Sequence, residues 1–168
     1  LGVNYKYLGK SELNFKSSPN ELFSLTLRMT FGKDLAYNEL IPEVGKEFTL
    51  YVMPMLQLGN KINISPSIRY ARLKNLENNL DYFNGYISRF SVRYQFNNFL
   101  NIRLVSEYNA FTERFFVQPL IQWNPKPSTV FYVGGNQNSI EDFNDEFYSP
   151  FRIDKTQFFL KFQYLIGL

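Results

Sequence analysis

Within residues 22–32, from Phe23 to Phe31, apolar and polar side chains alternate without interruption. Phe23, Leu25, Leu27, Met29 and Phe31 take the odd positions, and Ser24, Thr26, Arg28 and Thr30 the even ones. Successive side chains of a strand point to opposite sides of a sheet, so the segment predicts a strand with one apolar and one polar face. The same period of two predicts strands at 2–16, 22–32, 47–58, 61–73, 83–96, 99–109, 114–124, 129–136 and 155–166. Ser18-Pro19-Asn20, Gly59-Asn60-Lys61, Asn97-Asn98 and Asn124-Pro125-Lys126-Pro127 read as tight turns. The connections between them, at 33–46, 74–82, 110–113 and 137–154, are longer except for 110–113. Short turns at one rim and long loops at the other are the asymmetry of outer-membrane barrels, whose short turns are periplasmic.

The apolar rows can be named strand by strand. They are Phe48, Leu50, Val52, Pro54, Leu56 and Leu58; Ile62, Ile64, Pro66, Ile68 and Tyr70; Phe90, Val92, Tyr94 and Phe96; Leu100, Ile102, Leu104 and Tyr108; Val117, Pro119, Ile121 and Trp123; and Phe158, Leu160, Phe162, Tyr164 and Ile166. Strand 129–136 is ambiguous, because Val130/Tyr132 and Phe131/Val133 serve either face equally. A soluble barrel carries the same alternation inverted, with apolar side chains inside. The polar rows favour a membrane: Ser24, Thr26, Asn63, Ser65, Ser67, Ser91, Gln118 and Gln122 are small or amide-bearing, where a water-facing surface is built from Lys and Glu.

Composition narrows the class further. The chain holds 18 Phe and 12 Tyr against 3 Met, a strand-forming composition. Its longest apolar run, Leu50 to Leu56, contains Pro54 and falls far short of the ~20 residues of a membrane-spanning helix. The expected fold is therefore all-β, an antiparallel transmembrane β-barrel of the outer-membrane type. Nine visible strands, an odd number, point to part of a larger barrel whose remaining strands lie upstream of Leu1. No leader is visible and the chain opens without Met, so it reads as a processed product or a fragment. The absence of Cys excludes a disulfide scaffold, and a net charge of +3 argues against a nucleic-acid partner.

Ile102–Asn109, Phe116–Pro127, Val130–Gly134 and the ending Phe159–Leu165 resemble the C-terminal barrel of a Bacteroidota family. Members of that family join an N-terminal domain like the family-nine carbohydrate-binding modules to an outer-membrane barrel of unknown function. The resemblance covers about the last 70 residues, on strand and turn patterns and not catalytic signatures. It implies a Gram-negative outer membrane and a carbohydrate-recognising domain outside this sequence. The final strand, with Phe158, Leu160, Phe162, Tyr164 and Ile166 spaced by two, resembles the signal read by the barrel-assembly machinery, although it ends Gly167-Leu168 and not in an aromatic.

Catalytic chemistry finds little purchase. No His is present, which removes the commonest general base, and Gly134-Gly135 is no phosphate loop. No enzyme activity and no cofactor is expected. Asp142, Asn144 and Glu146 have the spacing of a calcium loop, but Phe147 stands where such loops place Gly. Ten of the fifteen acidic residues are assigned to the long loops: Asp34, Glu39, Glu43, Glu77, Asp81, Glu141, Asp142, Asp145, Glu146 and Asp154. There they would share divalent cations with lipopolysaccharide. Arg28, Arg69, Arg89, Arg93, Arg103 and Lys161 are assigned to the barrel lumen, against Glu107 alone on the well-defined strands. A three-residue closure at Asn97-Asn98 would set Arg89 against Glu107 and Arg93 against Arg103, a like-charged pair that needs a counter-charge. Three functions stay open: an anchor for a carbohydrate-recognising domain, a porin or transporter for anionic solutes, and a barrel subunit of a secretion or gliding complex.

Overall fold

The computed structural model describes residues 8–37, 42–141 and 151–166. They form one nine-stranded antiparallel sheet in which each strand pairs with its neighbours in sequence. The strands are β1 (Lys10–Asn20), β2 (Phe23–Ala36), β3 (Glu43–Leu58), β4 (Ile62–Asn75), β5 (Asp81–Gln95), β6 (Leu100–Asn109), β7 (Arg114–Lys126), β8 (Thr129–Glu141) and β9 (Phe151–Tyr164). No helix occurs among the described residues. Among the described residues the sheet does not close: β1 and β9 each have a partner on one side only.

Asparagines set several of the strand ends. The side-chain oxygens of Asn20, Asn75 and Asn97 each accept two backbone N–H groups just after them, and Asn109 accepts that of Phe111. These bonds hold the turning backbone without a ladder partner. Gly59 takes φ 58° in the β3–β4 turn, a conformation open to Gly at no steric cost.

Several expected boundaries move. Ser18-Pro19-Asn20 belongs to β1, with an irregular register after Ser17, so the first turn is Glu21-Leu22. Pro19 falls in that irregular stretch, between the paired Ser17 and Asn20, where its missing N–H costs no β1–β2 ladder bond. β7 runs through Lys126, leaving Pro127-Ser128 as the turn. Strands expected to stop at the long loops continue into them, so Asp34, Glu43, Asp81, Glu141 and Asp154 lie in strand ends and not in loops. β9 stops at Tyr164, and Ile166 lies beyond the ladder.

Pairing joins all the apolar rows into one face. Phe31 stands opposite Phe48, Leu50 opposite Tyr70, Ile64 opposite Val92, Leu104 opposite Pro119, and Ile121 opposite Val133. β8 thereby places Phe131 and Val133 on the apolar face, with Val130 and Tyr132 behind. No core forms between layers: among the described residues only Ala36, Leu73 and Val105 are buried apolar side chains, and all three belong to the polar face. The accessible surface is 12541 Å², against about 8,700 Å² for a compact chain of this mass.

Candidate functional site

The apolar face is bounded by two rows of aromatic rings. Toward the long connections run Phe31, Phe48, Tyr70, Tyr86, Tyr108, Phe115 and Phe151. Phe48 and Tyr70 lie 6.1 Å apart, Tyr86 and Tyr108 5.9 Å, and Phe115 and Phe151 5.5 Å. Phe115 reaches Phe151 across the small, buried Ser139 of the intervening β8. Tyr70 donates its hydroxyl to Asn84 Oδ1 at 2.8 Å and Tyr108 to Glu141 Oε2 at 2.6 Å. Both acceptors lie on the loop side of the row, so ring bodies face the apolar centre and hydroxyls face outward, as in an interfacial girdle.

The second row lies at the short-turn end. Trp123 stacks on Phe131 at 5.3 Å, Phe131 meets Phe162 at 5.0 Å, and Tyr94 meets Phe96 at 6.0 Å. Phe23 continues it on β2, while Leu56, Leu58 and Ile62 fill the interval on β3 and β4. Phe23 to Phe31, Tyr86 to Tyr94 and Phe115 to Trp123 each span eight residues. At ~3.3 Å per residue and a ~40° tilt, that separates the rows by about 20 Å, close to the ~25 Å apolar band of outer-membrane barrels.

Between the rows, β2 to β9 present no charged side chain on this face, and Ser88, Ser106, Gln137 and Thr156 are its polar members. Charge returns at once on the loop side, where Arg72 and Asp81 pair at 2.8 Å. Phe158 and Leu160 are 86% and 76% exposed, and nothing among the described residues covers the face. Apolar patches beyond a few hundred Å² mark a surface that meets lipid or a partner. Extending the register brings Pro54 opposite Pro66, where neither can donate to the β3–β4 ladder. There an apolar depression of about 420 Å³ opens between Val52, Pro66 and Phe90.

The polar face carries every lumen candidate. Arg28, Arg69, Arg89, Arg93, Arg103, Glu107 and Lys161 all share it, judged by register. Glu107 is not its only carboxylate. Glu12 lies 3.6 Å from Arg28, which also donates to Asn14, and Glu47 lies 2.8 Å from Lys10. The edge strand and the loop end of β3 supply these, where the alternation was least informative. Arg89 stands opposite Glu107 with an N···O distance of 3.5 Å. Arg69 lies 5.5 Å over the Tyr51 ring and Lys161 5.7 Å over Tyr132, cation–π contacts worth about 0.5 to 1 kcal/mol at exposed sites.

Arg93 and Arg103 stand directly opposite each other, and neither forms an ion pair among the described residues. At ~5 Å two such charges repel by about 1 kcal/mol in water and about 3 kcal/mol at an effective dielectric of ~20. Arg103 Nε is shut off from solvent without a hydrogen-bond partner. Beside Arg93 lies a polar depression of about 460 Å³, lined by Gln57, Lys61, Asn63, Ser65, Ser91 and Gln95.

The proposed cation loop, Asp142, Asn144 and Glu146, lies outside the described residues. Among those described, no group of three or more metal-ligating side chains comes together. Of the terminal row, Phe158, Leu160, Phe162 and Tyr164 share the apolar face of β9. Aromatic girdles are already legible in the sequence, where Phe23 and Phe31 bracket one strand and Tyr94, Phe96, Tyr108 and Trp123 sit near turns; the structure adds Tyr86, Phe115 and Phe151 to them. No protein-family model, curated protein or solved structure matches the chain.

Proposed function

We propose that this chain is a membrane-embedded part of an outer-membrane-type β-barrel in a Gram-negative bacterium, serving as an anchor and not as an enzyme. One observation carries the reading: an exposed, charge-free apolar band about 20 Å high, edged on both sides by aromatic rings. A soluble barrel or sandwich buries its apolar face; here the buried apolar side chains among the described residues, Ala36, Leu73 and Val105, lie on the polar one. In a meander of nine strands the first and last run the same way. An antiparallel ring therefore needs an odd number of further strands between β9 and β1, from a longer chain or another subunit.

The resemblance to the Bacteroidota barrels extends the proposal: the barrel would tether a carbohydrate-recognising domain. Lipid, lipopolysaccharide and, during insertion, the barrel-assembly machinery would be its partners. A second reading, a conduit for anionic solutes, is favoured by Arg93 and Arg103, which lack carboxylate partners among the described residues.

Orientation tests the proposal cleanly because the chain has no Cys of its own. Leu80→Cys is expected to react with a membrane-impermeant maleimide on intact cells. Asn60→Cys and Ser128→Cys are expected to react only after permeabilisation. Labelling of Asn60→Cys from outside would refute the orientation, and recovery of the chain in the soluble fraction would refute the membrane reading.

A further inference from the structure

Four polar side chains form a straight row across the sheet. Gln57 stands opposite Asn63, Asn63 opposite Arg93, and Arg93 opposite Arg103, on four consecutive strands. Neighbouring strands lie about 4.8 Å apart, so the row presents two amides and two guanidinium groups to one region of the polar face. Ser65 and Ser91, also mutually opposite, flank it one step along, and Lys61 enters from the β3–β4 turn. The lining of the depression contains no carboxylate.

We infer that this row is a binding site for a small hydroxylated oxyanion, such as a sugar acid or sugar phosphate. The chemistry divides along the row. Arg93 lines the depression with no protein carboxylate engaged among the described residues, and its guanidinium is the group that holds carboxylate, sulfate or phosphate by two parallel hydrogen bonds, with the charge of Arg103 opposite it adding to the attraction for an anion. The cations that line the depression are Arg93 and Lys61, and Arg103 stands behind Arg93 on the next strand. At the other end the amides are pre-positioned: Asn63 donates to Gln57 Oε1 at 3.1 Å, and Gln57 donates to the Gly59 carbonyl at 3.3 Å. Amides and serine hydroxyls both donate and accept, which suits hydroxyl groups. A space of about 460 Å³ lies at the small end of ligand sites and fits a compact solute, not a polymer. The site faces away from the apolar band, so it goes beyond the membrane proposal and does not depend on it.

The test is calorimetric titration of the full chain in detergent micelles with glucuronate, glucose 6-phosphate, glucose and inorganic phosphate. Saturable binding of one or both sugar anions is expected, at least about tenfold tighter than glucose, as charge-assisted bonds of 1.5 kcal/mol or more require. Arg93→Gln should weaken that binding at least about tenfold. Arg28→Gln, whose parent side chain is paired with Glu12, should leave it unchanged. Absence of saturable binding with the sheet intact by circular dichroism would overturn the site and leave the membrane reading standing. Equal binding of glucose, or equal loss in Arg28→Gln, would overturn it as well. Should Arg93→Gln fail to fold, Asn63→Ala decides: it must weaken the sugar anions while leaving inorganic phosphate unaffected. Phosphate bound as tightly as the sugar anions would overturn the hydroxyl recognition.

Discussion

Arginine at Leu27, Ile64 or Leu104 is expected to cost about 2 to 4 kcal/mol each and to lower the yield of folding into vesicles. Every cross-strand neighbour of these positions is apolar: Phe15 and Val52 for Leu27, Leu56 and Val92 for Ile64, Val92 and Pro119 for Leu104. A guanidinium there has no partner on the face and must desolvate or stretch past the aromatic rows to reach water. The same change at Phe31 or Trp123, within the rows, should cost about 1 kcal/mol or less in charge burial because the interface is near. At Thr49, on the polar face beside Glu47, it should be tolerated. Urea titration of the vesicle-inserted chain measures all of these. A larger loss for Thr49→Arg than for Leu104→Arg would reverse the assignment of the faces.

Gly32→Ala is expected to unzip the loop end of β1, with a loss of about 2 to 3 kcal/mol from strain and overpacking. Gly32 has φ 152°, which L side chains rarely adopt, and a Cβ there would sit 2.2 Å from the Gly9 carbonyl oxygen and 2.7 Å from Lys10 Cα. Both obstacles are backbone, so no rotamer change relieves them. That carbonyl also accepts the Lys33 N–H at 2.9 Å, and the adjacent Lys10 ammonium bridges Asp34 at 2.6 Å and Glu47 at 2.8 Å. Moving β1 aside therefore breaks a ladder bond and a two-carboxylate ion pair together. Lys10→Ala removes only the ion pair, whose lysine side chain is about two-fifths exposed, and should cost about 1 kcal/mol or less. Amide exchange across Lys10–Leu13 reports the difference. Unchanged protection in Gly32→Ala would show that β1 is held by something other than this close approach.

The apolar rows were legible because a period of two repeated on strand after strand leaves one consistent assignment of faces. The β5–β6 register was legible for a related reason: the Asn97-Asn98 turn joins strands whose even positions are both apolar, which fixes Arg89 on Glu107 and Arg93 on Arg103. β8 was not legible, because Val130 to Val133 are all apolar or aromatic. Its facing is decided by partners distant in sequence, Trp123 and Phe162. Strand lengths at the loop rim were underestimated because Lys33, Asp34, Lys46 and Asp81 read as loop. Ladder bonds need only backbone, and beyond the band charged side chains are free to face water. The Arg28–Glu12 and Lys10–Glu47 pairs escaped notice because β1 alternates weakly, with Ser11 and Ser17 on its apolar side.

That the apolar face meets lipid is tested most directly by depth-dependent quenching of a single tryptophan. The chain has one, Trp123, in the short-turn aromatic row. In vesicles of brominated phospholipid, Trp123 should be quenched most by bromine near the headgroups. With Trp123→Phe as background, Leu104→Trp should be quenched most by bromine deep in the acyl chains, and Ser65→Trp, on the opposite face, by neither. Quenching of Ser65→Trp by deep bromine, or a Leu104→Trp that only aqueous iodide reaches, would contradict the account.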